Sequence, residues 1–216
     1  MKYKGVIFDC DGVLLDTEYY QWQGWVEMLR PFGISLSKTE YFDYAGKRGD
    51  IIESELMKKY GLHIEKGSLI KPKEEWLIRQ FQSADLNVLP HAREIVDALA
   101  KCKTISLAVC SGGPREEVIL KLKKSSFYQM FPVIVTGSDV SRGKPYPDIY
   151  TRVVEKLNLE PSECLAFEDT QYGVEAAKTA GLTCIAIPSE YSIKQDFSRA
   201  DGVLKDLGEA RRLLSV

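Results

Sequence analysis

Near its start the chain reads Val6-Ile7-Phe8-Asp9-Cys10-Asp11-Gly12-Val13-Leu14-Leu15-Asp16-Thr17, and this segment is the most informative about its fold. Residues 6–8 are all apolar, which predicts a strand buried on both faces of a parallel sheet. Asp9 and Asp11 follow where this strand should end. In open α/β sheets, ligands bind outside the carboxyl ends of the strands. We therefore expect the two carboxylates to face a ligand and not a core.

The chain after Leu89 alternates apolar segments with amphipathic ones. We predict strands over 105–110, 133–136, 164–167 and 183–187, and a helix over 94–100. Strands that alternate with helical stretches favour a parallel sheet with helices on both faces. The predicted fold class is therefore α/β, with a Rossmann-like core.

Residues 16–88 have a different pattern. They contain all three tryptophans and place apolar residues three and four positions apart, without a convincing strand. One predicted helical face consists of Tyr19, Trp22, Val26 and Leu29. The sequence therefore predicts an inserted α-helical cap domain over 16–88, with the core formed by 1–15 and 89–216. Directly after the first strand, such an insert could cover the ligand-binding edge of the sheet.

Composition limits the classes of partner. The chain has 216 residues, 44% of them hydrophobic, and 29 basic against 31 acidic residues give a net charge of −2. This balance predicts neither a nucleic-acid partner nor an anionic membrane surface. No window approaches 18 uncharged apolar residues, so neither a membrane span nor a signal peptide is expected. Five scattered cysteines are typical of small buried side chains in a reducing compartment. We expect a cytoplasmic monomer.

Three further groups of polar residues follow predicted strands. Ser111 and the backbone around Gly112 precede a proline that begins a helix, an arrangement that can cradle phosphate oxygens, although Ser-Gly-Gly is also typical of a simple turn. Lys144 lies between a glycine and a proline, which fixes its backbone, although a loop lysine in solvent is the plain alternative. Glu168 and Asp169 add two acids, as a site for Mg²⁺ requires.

The first stretch, Asp-x-Asp-Gly-Val-Leu-x-Asp-Thr, resembles the first motif of the haloacid dehalogenase-like hydrolases, most of which are magnesium-dependent phosphatases. The polar groups at Ser111, at 144–148 and at 168–169 resemble the family's other three motifs, so the resemblance covers nearly the whole chain. It implies a helical cap of the kind found in the β-phosphoglucomutase and phosphatase branch. The second aspartate favours phosphoryl chemistry, because members that cleave carbon–halogen bonds typically lack it.

The resemblance also implies a role for each motif residue. Asp9 would be the nucleophile that forms an aspartyl-phosphate, and Asp11 the general acid and base, for which a raised pKa is expected at the first step. The residues that bind the phosphoryl group would be Ser111, Gly112 and Lys144. Mg²⁺ would be held by the Asp9 carboxylate, the Asp11 backbone carbonyl and Asp169, with Glu168 ligating it or holding a metal-bound water.

The predicted function is a Mg²⁺-dependent phosphatase for a small phosphorylated metabolite, with a sugar phosphate favoured. A β-phosphoglucomutase, which passes the phosphoryl group to a sugar hydroxyl, is the alternative, and a catalytically silent binding protein is a third. Residues 46–50 resemble the cap loop that contacts substrate, so Lys47 and Arg48 are the specificity candidates. In this loop the arginine of the mutases is displaced by one position, and Gln21 stands where mutases carry a histidine. Both departures favour hydrolysis.

Overall fold

The fold is built around a six-stranded parallel sheet. The computed structural model describes residues 2–214. Its strands are β1 (Gly5–Phe8), β2 (Ser106–Ser111), β3 (Val133–Thr136), β4 (Cys164–Glu168), β5 (Thr183–Ala186) and β6 (Gly202–Val203). They lie in the order β3-β2-β1-β4-β5-β6, and every neighbouring pair is parallel. The predicted α/β fold with a parallel sheet is confirmed.

The described residues also form α-helices between and around these strands. They are α1 (Glu18–Leu29), α2 (Lys38–Tyr41), α3 (Gly49–Tyr60), α4 (Ile70–Ser83), α5 (Ala92–Ala100), α6 (Arg115–Lys124), α7 (Asp148–Leu157), α8 (Gln171–Thr179) and α9 (Arg211–Leu214). None of the described helices is long and apolar enough to cross a membrane.

Both faces of the sheet are covered by helices, because the central strand is apolar at every position. Val6 and Phe8 of β1 pack in one hydrophobic cluster with residues of α5 and α6. Ile7 points to the opposite face, where it packs in a second cluster with residues of α7 and α8. Phe8 also stacks on Phe167 of the neighbouring β4, with ring centroids 5.4 Å apart. Because β1 is buried on both faces, its position is fixed, and so is the position of Asp9, which follows its last residue.

Helices α1 to α4 have a hydrophobic cluster of their own. Trp25 and Leu29 of α1 pack there against Ile52 and Leu56 of α3. Tyr191, which follows β5, joins this cluster, so the helices also contact the sheet-bearing part of the chain. Residues 18–83 contain no strand, in agreement with the helical pattern of their sequence. That they form a separate cap domain over 16–88 stays a prediction.

Residues 18–83, which contain α1 to α4, are called the helical segment below. The chain enters and leaves this helical segment at adjacent points. The backbone N–H of Asp16 donates to the carbonyl of Asn87 at 3.0 Å, and the N–H of Leu89 donates to the carbonyl of Leu14 at 2.9 Å. These hydrogen bonds pair the two segments that connect the helices to the sheet, and the first of these segments follows β1 in the sequence. The segment is thereby held next to the carboxyl edge of the sheet.

On α1, Leu29 lies in the hydrophobic cluster of the helical segment, and Trp22 and Val26 pack against it. Tyr19, the fourth residue of the predicted face, is 52% exposed. The five cysteines are free, and four of them are buried as expected.

Candidate active site

The carboxyl ends of the strands open into a cavity of about 450 Å³. Its walls include eight of the nine residues that the sequence singled out: Asp9, Asp11, Lys47, Arg48, Ser111, Gly112, Lys144 and Asp169. The ninth, Glu168, is fully buried at the end of β4. These residues come from four strand ends and from the loop before α3. The sheet order accounts for this meeting, because β1 lies between β2 and β4.

Lys144 is the cation at the centre of the site. Its side chain is 7% exposed, and its Nζ donates to Asp9 Oδ1 at 2.6 Å and to Glu168 Oε1 at 2.5 Å. Burial by itself would lower the pKa of Lys144, but the two carboxylates outweigh burial and raise it. The hydroxyl of Tyr150 donates to the same oxygen of Glu168. Lys144 is therefore held as an ammonium beside the carboxylate of Asp9.

Three carboxylates meet beside this lysine. Asp9, Glu168 and Asp169 each offer an oxygen, and the three oxygens lie within 4.8 Å of one another. Burial, followed by the charge of Glu168 and Asp11, raises the pKa of Asp9 to about 8 even though Lys144 opposes the shift. Burial and the charge of Asp9 raise the pKa of Asp169. Lys144 alone therefore does not offset the cost of ionising Asp9 and Asp169 together.

This cluster fits a hard divalent cation. Among the described residues, Glu168 Oε2 and Asp169 Oδ2 are buried side-chain oxygens without a hydrogen-bond partner. A buried acceptor without a partner costs roughly 1–3 kcal/mol, and more when it is charged. Carboxylate oxygens are the ligands that Mg²⁺ takes in proteins. The donor set and its unbalanced charge therefore match the predicted metal site.

Two glycines allow the acids to approach so closely. A Cβ atom on Gly12, whose φ is +77°, would lie 2.1 Å from Asp169 Oδ2. A Cβ atom on Gly173 would lie 1.9 Å from Glu168 Oε2. Neither distance is compatible with a side chain, so the first turn of α8 and the turn after Asp11 need glycine at these positions.

Asp11 is held by Thr17 of the first motif and by Lys121, a lysine outside the four motifs. Lys121 Nζ, on α6, donates to both of its carboxylate oxygens, at 2.6 and 2.8 Å, and the Thr17 hydroxyl donates to Oδ1. Burial alone would raise the pKa of Asp11, but Lys121 and these hydrogen bonds outweigh burial and lower it. The expected raised pKa belongs to the first chemical step, when a phosphoryl group is present, and it stays a prediction. An anionic phosphoryl group nearby would shift the pKa upward.

Ser111 and Gly112 lie at the end of β2, which flanks β1 on the side opposite to β4. The Ser111 hydroxyl is 3.4 Å from Asp11 Oδ2, and it also accepts from the N–H of Gly113 at 3.4 Å. The turn after β3 packs against this loop, because a Cβ on Gly137 would lie 2.2 Å from the carbonyl oxygen of Gly112. The backbone of Gly112, which lines the cavity, is therefore restrained by close contact with Gly137.

The two specificity candidates on the helical segment are paired with acids. Lys47 Nζ donates to Glu55 at 2.8 Å. The guanidinium of Arg48 donates to both carboxylate oxygens of Asp50, and its Nη1 donates to the carbonyl of Ser141 at 2.8 Å. This last bond joins the loop before α3 to the loop that carries Lys144.

Glu18 and Tyr41 also line the cavity on the helical side, and neither belongs to the residues predicted for the site. Tyr41 donates from its hydroxyl to Glu18 at 3.3 Å. Burial, followed by the charge of Asp11, raises the pKa of Glu18 to about 7. A buried glutamate beside a tyrosine is ambiguous in sequence, because Glu18 also has the usual place of an acid in the first turn of a helix.

Comparison with known proteins defines the class. A family model described as haloacid dehalogenase-like hydrolase matches residues 6–187. The chain belongs to the haloacid dehalogenase-like hydrolase family, and the resemblance found in its sequence motifs is confirmed. It is therefore an enzyme of the hydrolase class.

Particular relatives share most of the chain. It is 33% identical to Protein CbbY of Rhodobacter capsulatus, over 97% of this chain and 96% of that protein. It is also 33% identical to the phosphorylated carbohydrates phosphatase of Thermotoga maritima, over 83% of this chain and 82% of that protein. The crystal structure of CbbY from Rhodobacter sphaeroides in complex with phosphate superimposes with a TM-score of 0.85 at 25% identity, covering 96% of each chain.

Proposed function

We propose that this protein is a Mg²⁺-dependent phosphatase that hydrolyses the phosphate monoester of a small sugar-like metabolite through an aspartyl-phosphate. One observation carries the proposal: Asp9 is bound by Lys144 and lies within a cluster of buried carboxylates, on a cavity that also exposes Asp11. A phosphoryl group that approaches Asp9 needs its charge balanced, and Lys144 together with a bound Mg²⁺ would provide that balance.

The first chemical step forms a covalent intermediate. An Asp9 carboxylate oxygen forms a bond to phosphorus while the bond from phosphorus to the leaving oxygen breaks. Asp11, protonated for this step, gives its proton to the leaving oxygen as general acid. Lys144, Ser111 and the backbone around Gly112 bind the phosphoryl oxygens, whose charge is spread in the transition state.

The second step regenerates the enzyme. Asp11 is now a carboxylate and takes a proton from water, whose oxygen attacks phosphorus while the bond to Asp9 breaks. Asp9, Asp169 and the backbone carbonyl of Asp11 would hold Mg²⁺, with Glu168 as a further ligand or a support for its water. When bound, the ion supplies positive charge that offsets repulsion between the phosphoryl group and the carboxylates.

A sugar-like substrate is supported by the walls of the cavity and by the relatives. The helical side offers polar groups, Glu18, Tyr41, Lys47 and Arg48, which suit the hydroxyl groups of a carbohydrate. The Thermotoga relative is a phosphatase of phosphorylated carbohydrates by name.

Hydrolysis is favoured over transfer to a sugar hydroxyl by the side chain at position 21. Gln21 donates from its amide to Glu117 at 2.9 Å and accepts from Lys73 at 2.5 Å. An amide cannot exchange protons as the histidine of the mutases can. We therefore expect water, and not a sugar hydroxyl, to accept the phosphoryl group.

The test is a panel of phosphorylated metabolites assayed for released phosphate, with Mg²⁺ and with excess EDTA. We expect Mg²⁺-dependent release from sugar phosphates. In parallel, β-glucose 1-phosphate with its bisphosphate activator is assayed for glucose 6-phosphate. Formation of glucose 6-phosphate would establish the mutase instead, and absence of any turnover would favour the silent binding protein.

A further inference from the structure

Lys121 is a buried cation that the proposed steps do not use. Its side chain is fully buried on α6, and its Nζ donates to both oxygens of Asp11 and to Glu117 Oε1 at 2.8 Å. The ammonium also lies 5.3 Å from the ring centre of Phe81 on α4. An isolated buried ammonium is very costly, so this side chain stays in place only with its two carboxylate partners.

The contacts of Lys121 fix the orientation of the Asp11 carboxylate. Oδ1 accepts from Lys121 and from the Thr17 hydroxyl, and Oδ2 accepts from Lys121 and faces Ser111 Oγ at 3.4 Å. Both oxygens are therefore held from the side of α6, while the carboxyl group still lines the cavity. Rotation about the side-chain bonds of Asp11 would break at least one bond to the ammonium.

Glu117 holds Lys121 in turn. The two residues are one helical turn apart on α6, and the Glu117 side chain is only 2% exposed. The amide of Gln21 on α1 also donates to Glu117, and Lys73 on α4 donates to Gln21. The position of Lys121 thus depends on a continuous set of hydrogen bonds that reaches from Asp11 to two helices of the helical segment.

We infer that Lys121, held by Glu117, is a positioning residue that aims the Asp11 carboxyl group at the leaving oxygen of the substrate. The inference rests on the proposed function, in which Asp11 passes its proton to that oxygen as the phosphorus bond breaks. General acid catalysis requires the donor within hydrogen-bond reach of the atom that it protonates. A carboxyl group free to rotate would meet that condition only part of the time.

The test compares leaving groups. A sugar phosphate leaves as a basic alkoxide that needs a proton, whereas p-nitrophenolate leaves without one. We therefore expect Lys121→Met to lower kcat/KM for glucose 6-phosphate by about 10²-fold or more, the usual contribution of general acid catalysis. For p-nitrophenyl phosphate we expect a much smaller loss. The value of kcat/KM includes only the steps up to release of the leaving group, and for this ester those steps need no proton from Asp11. Lys123→Met, an exposed lysine on the same helix, is the matched control.

A purely structural role would lower both values of kcat/KM by the same factor, and that result would overturn the inference. Lys121→Met leaves two buried acids, Asp11 and Glu117, without their cation. If this variant does not fold, the double variant Glu117→Gln with Lys121→Met removes one of these charges, and the same two esters are assayed with it. A crystal structure of the variant gives a reading independent of activity: an Asp11 carboxylate in its original orientation would also overturn the inference. Wild-type protein without turnover on either ester would instead refute the proposed function, and the inference with it.

Discussion

At the scale of single residues, the site is a balance of buried charges. Lys144 is the one cation in direct contact with the carboxylates of Asp9 and Glu168 within residues 2–214. Its ammonium has two tasks in the proposed mechanism, since it restrains Asp9 and binds the arriving phosphoryl group. A neutral side chain of similar length would perform neither.

Replacing Lys144 by methionine tests that assignment. We expect kcat for a sugar phosphate to fall by about 10²–10³-fold, as when one preorganised donor is lost from a transition state. Steady-state kinetics with saturating Mg²⁺ measure the change, and Lys103→Met, an exposed lysine, is the control. Unchanged kcat in Lys144→Met would show that Lys144 only balances charge in the fold.

Glu18 predicts how stability depends on pH. Its pKa is raised to about 7, chiefly by burial, from an ordinary value of 4.5. The folded protein therefore binds the proton of Glu18 more tightly than the unfolded chain does. The stability gained from this proton is fully present below about pH 4.5 and is lost as pH rises through about 7. Relative to Glu18→Gln, the wild type should lose up to about 3 kcal/mol of unfolding free energy between about pH 5 and 8.

Urea unfolding of both proteins at the two pH values measures this difference, and the comparison cancels the other acids of the site. Glu75→Gln, an exposed acid, should follow the wild type at both pH values. Parallel pH profiles for the wild type and Glu18→Gln would contradict a raised pKa at Glu18.

At the scale of elements, the loop before α3 brings the helical segment to the site. Gly46 has a φ of +82°, and a Cβ there would lie 2.6 Å from the Thr170 side chain, next to Asp169. Gly33 has a similar φ of +70° but open space around it. The two glycines therefore share the same backbone strain on substitution and differ only in contact with the site.

This pair gives a matched prediction. Gly33→Ala should lose roughly 1–2 kcal/mol of stability from the left-handed backbone, and Gly46→Ala should lose more, because its methyl group also overlaps the Thr170 side chain. Only Gly46→Ala should also raise KM for a sugar phosphate, because the added methyl group displaces the loop from Thr170. Thermal unfolding and steady-state kinetics of both variants measure the two effects. An equal KM in both variants would show that this loop does not contact the substrate.

The elements also show what a sequence can predict. The apolar runs predict five of the six described strands to within one residue at each end, because apolar runs bounded by polar residues are typical of buried strands. The two-residue β6 was missed, since it is short and Val203 is 56% exposed. On α1 the apolar spacing includes Tyr19, which is 52% exposed, because local periodicity does not show where the neighbouring helices end.

Lys121 shows the same limit within the site. A glutamate and a lysine four residues apart are typical of a solvent-exposed helix face. Here the pair is buried, and Lys121 contacts an aspartate 110 positions away in the sequence. Motif residues at strand ends were recognisable because the sheet brings such ends together. Their supporting residues carry no comparable pattern.

At the scale of the whole molecule, folding and metal binding should be linked. The sheet gathers Asp9, Glu168 and Asp169 from β1 and β4, and the unfolded chain has no such cluster. A ligand that binds only the folded state stabilises it by about 2.7 kcal/mol at 100 times its dissociation constant. We expect Mg²⁺ to raise the free energy of unfolding by an amount of this order.

Urea unfolding with and without Mg²⁺ measures the increment. Asp169→Asn should abolish it, and Asp85→Asn, an exposed acid far from β1 and β4 in sequence, should retain it. An increment that survives Asp169→Asn would place the ion elsewhere.

In the proposed mechanism the phosphoryl group passes through Asp9. This step is tested by mixing the enzyme and Mg²⁺ with a ³²P-labelled sugar phosphate, quenching in acid within the first turnover and mapping the labelled peptides. We expect label on the peptide that contains Asp9, and neither label nor turnover in Asp9→Asn. Label on another residue, or full turnover by Asp9→Asn, would contradict it.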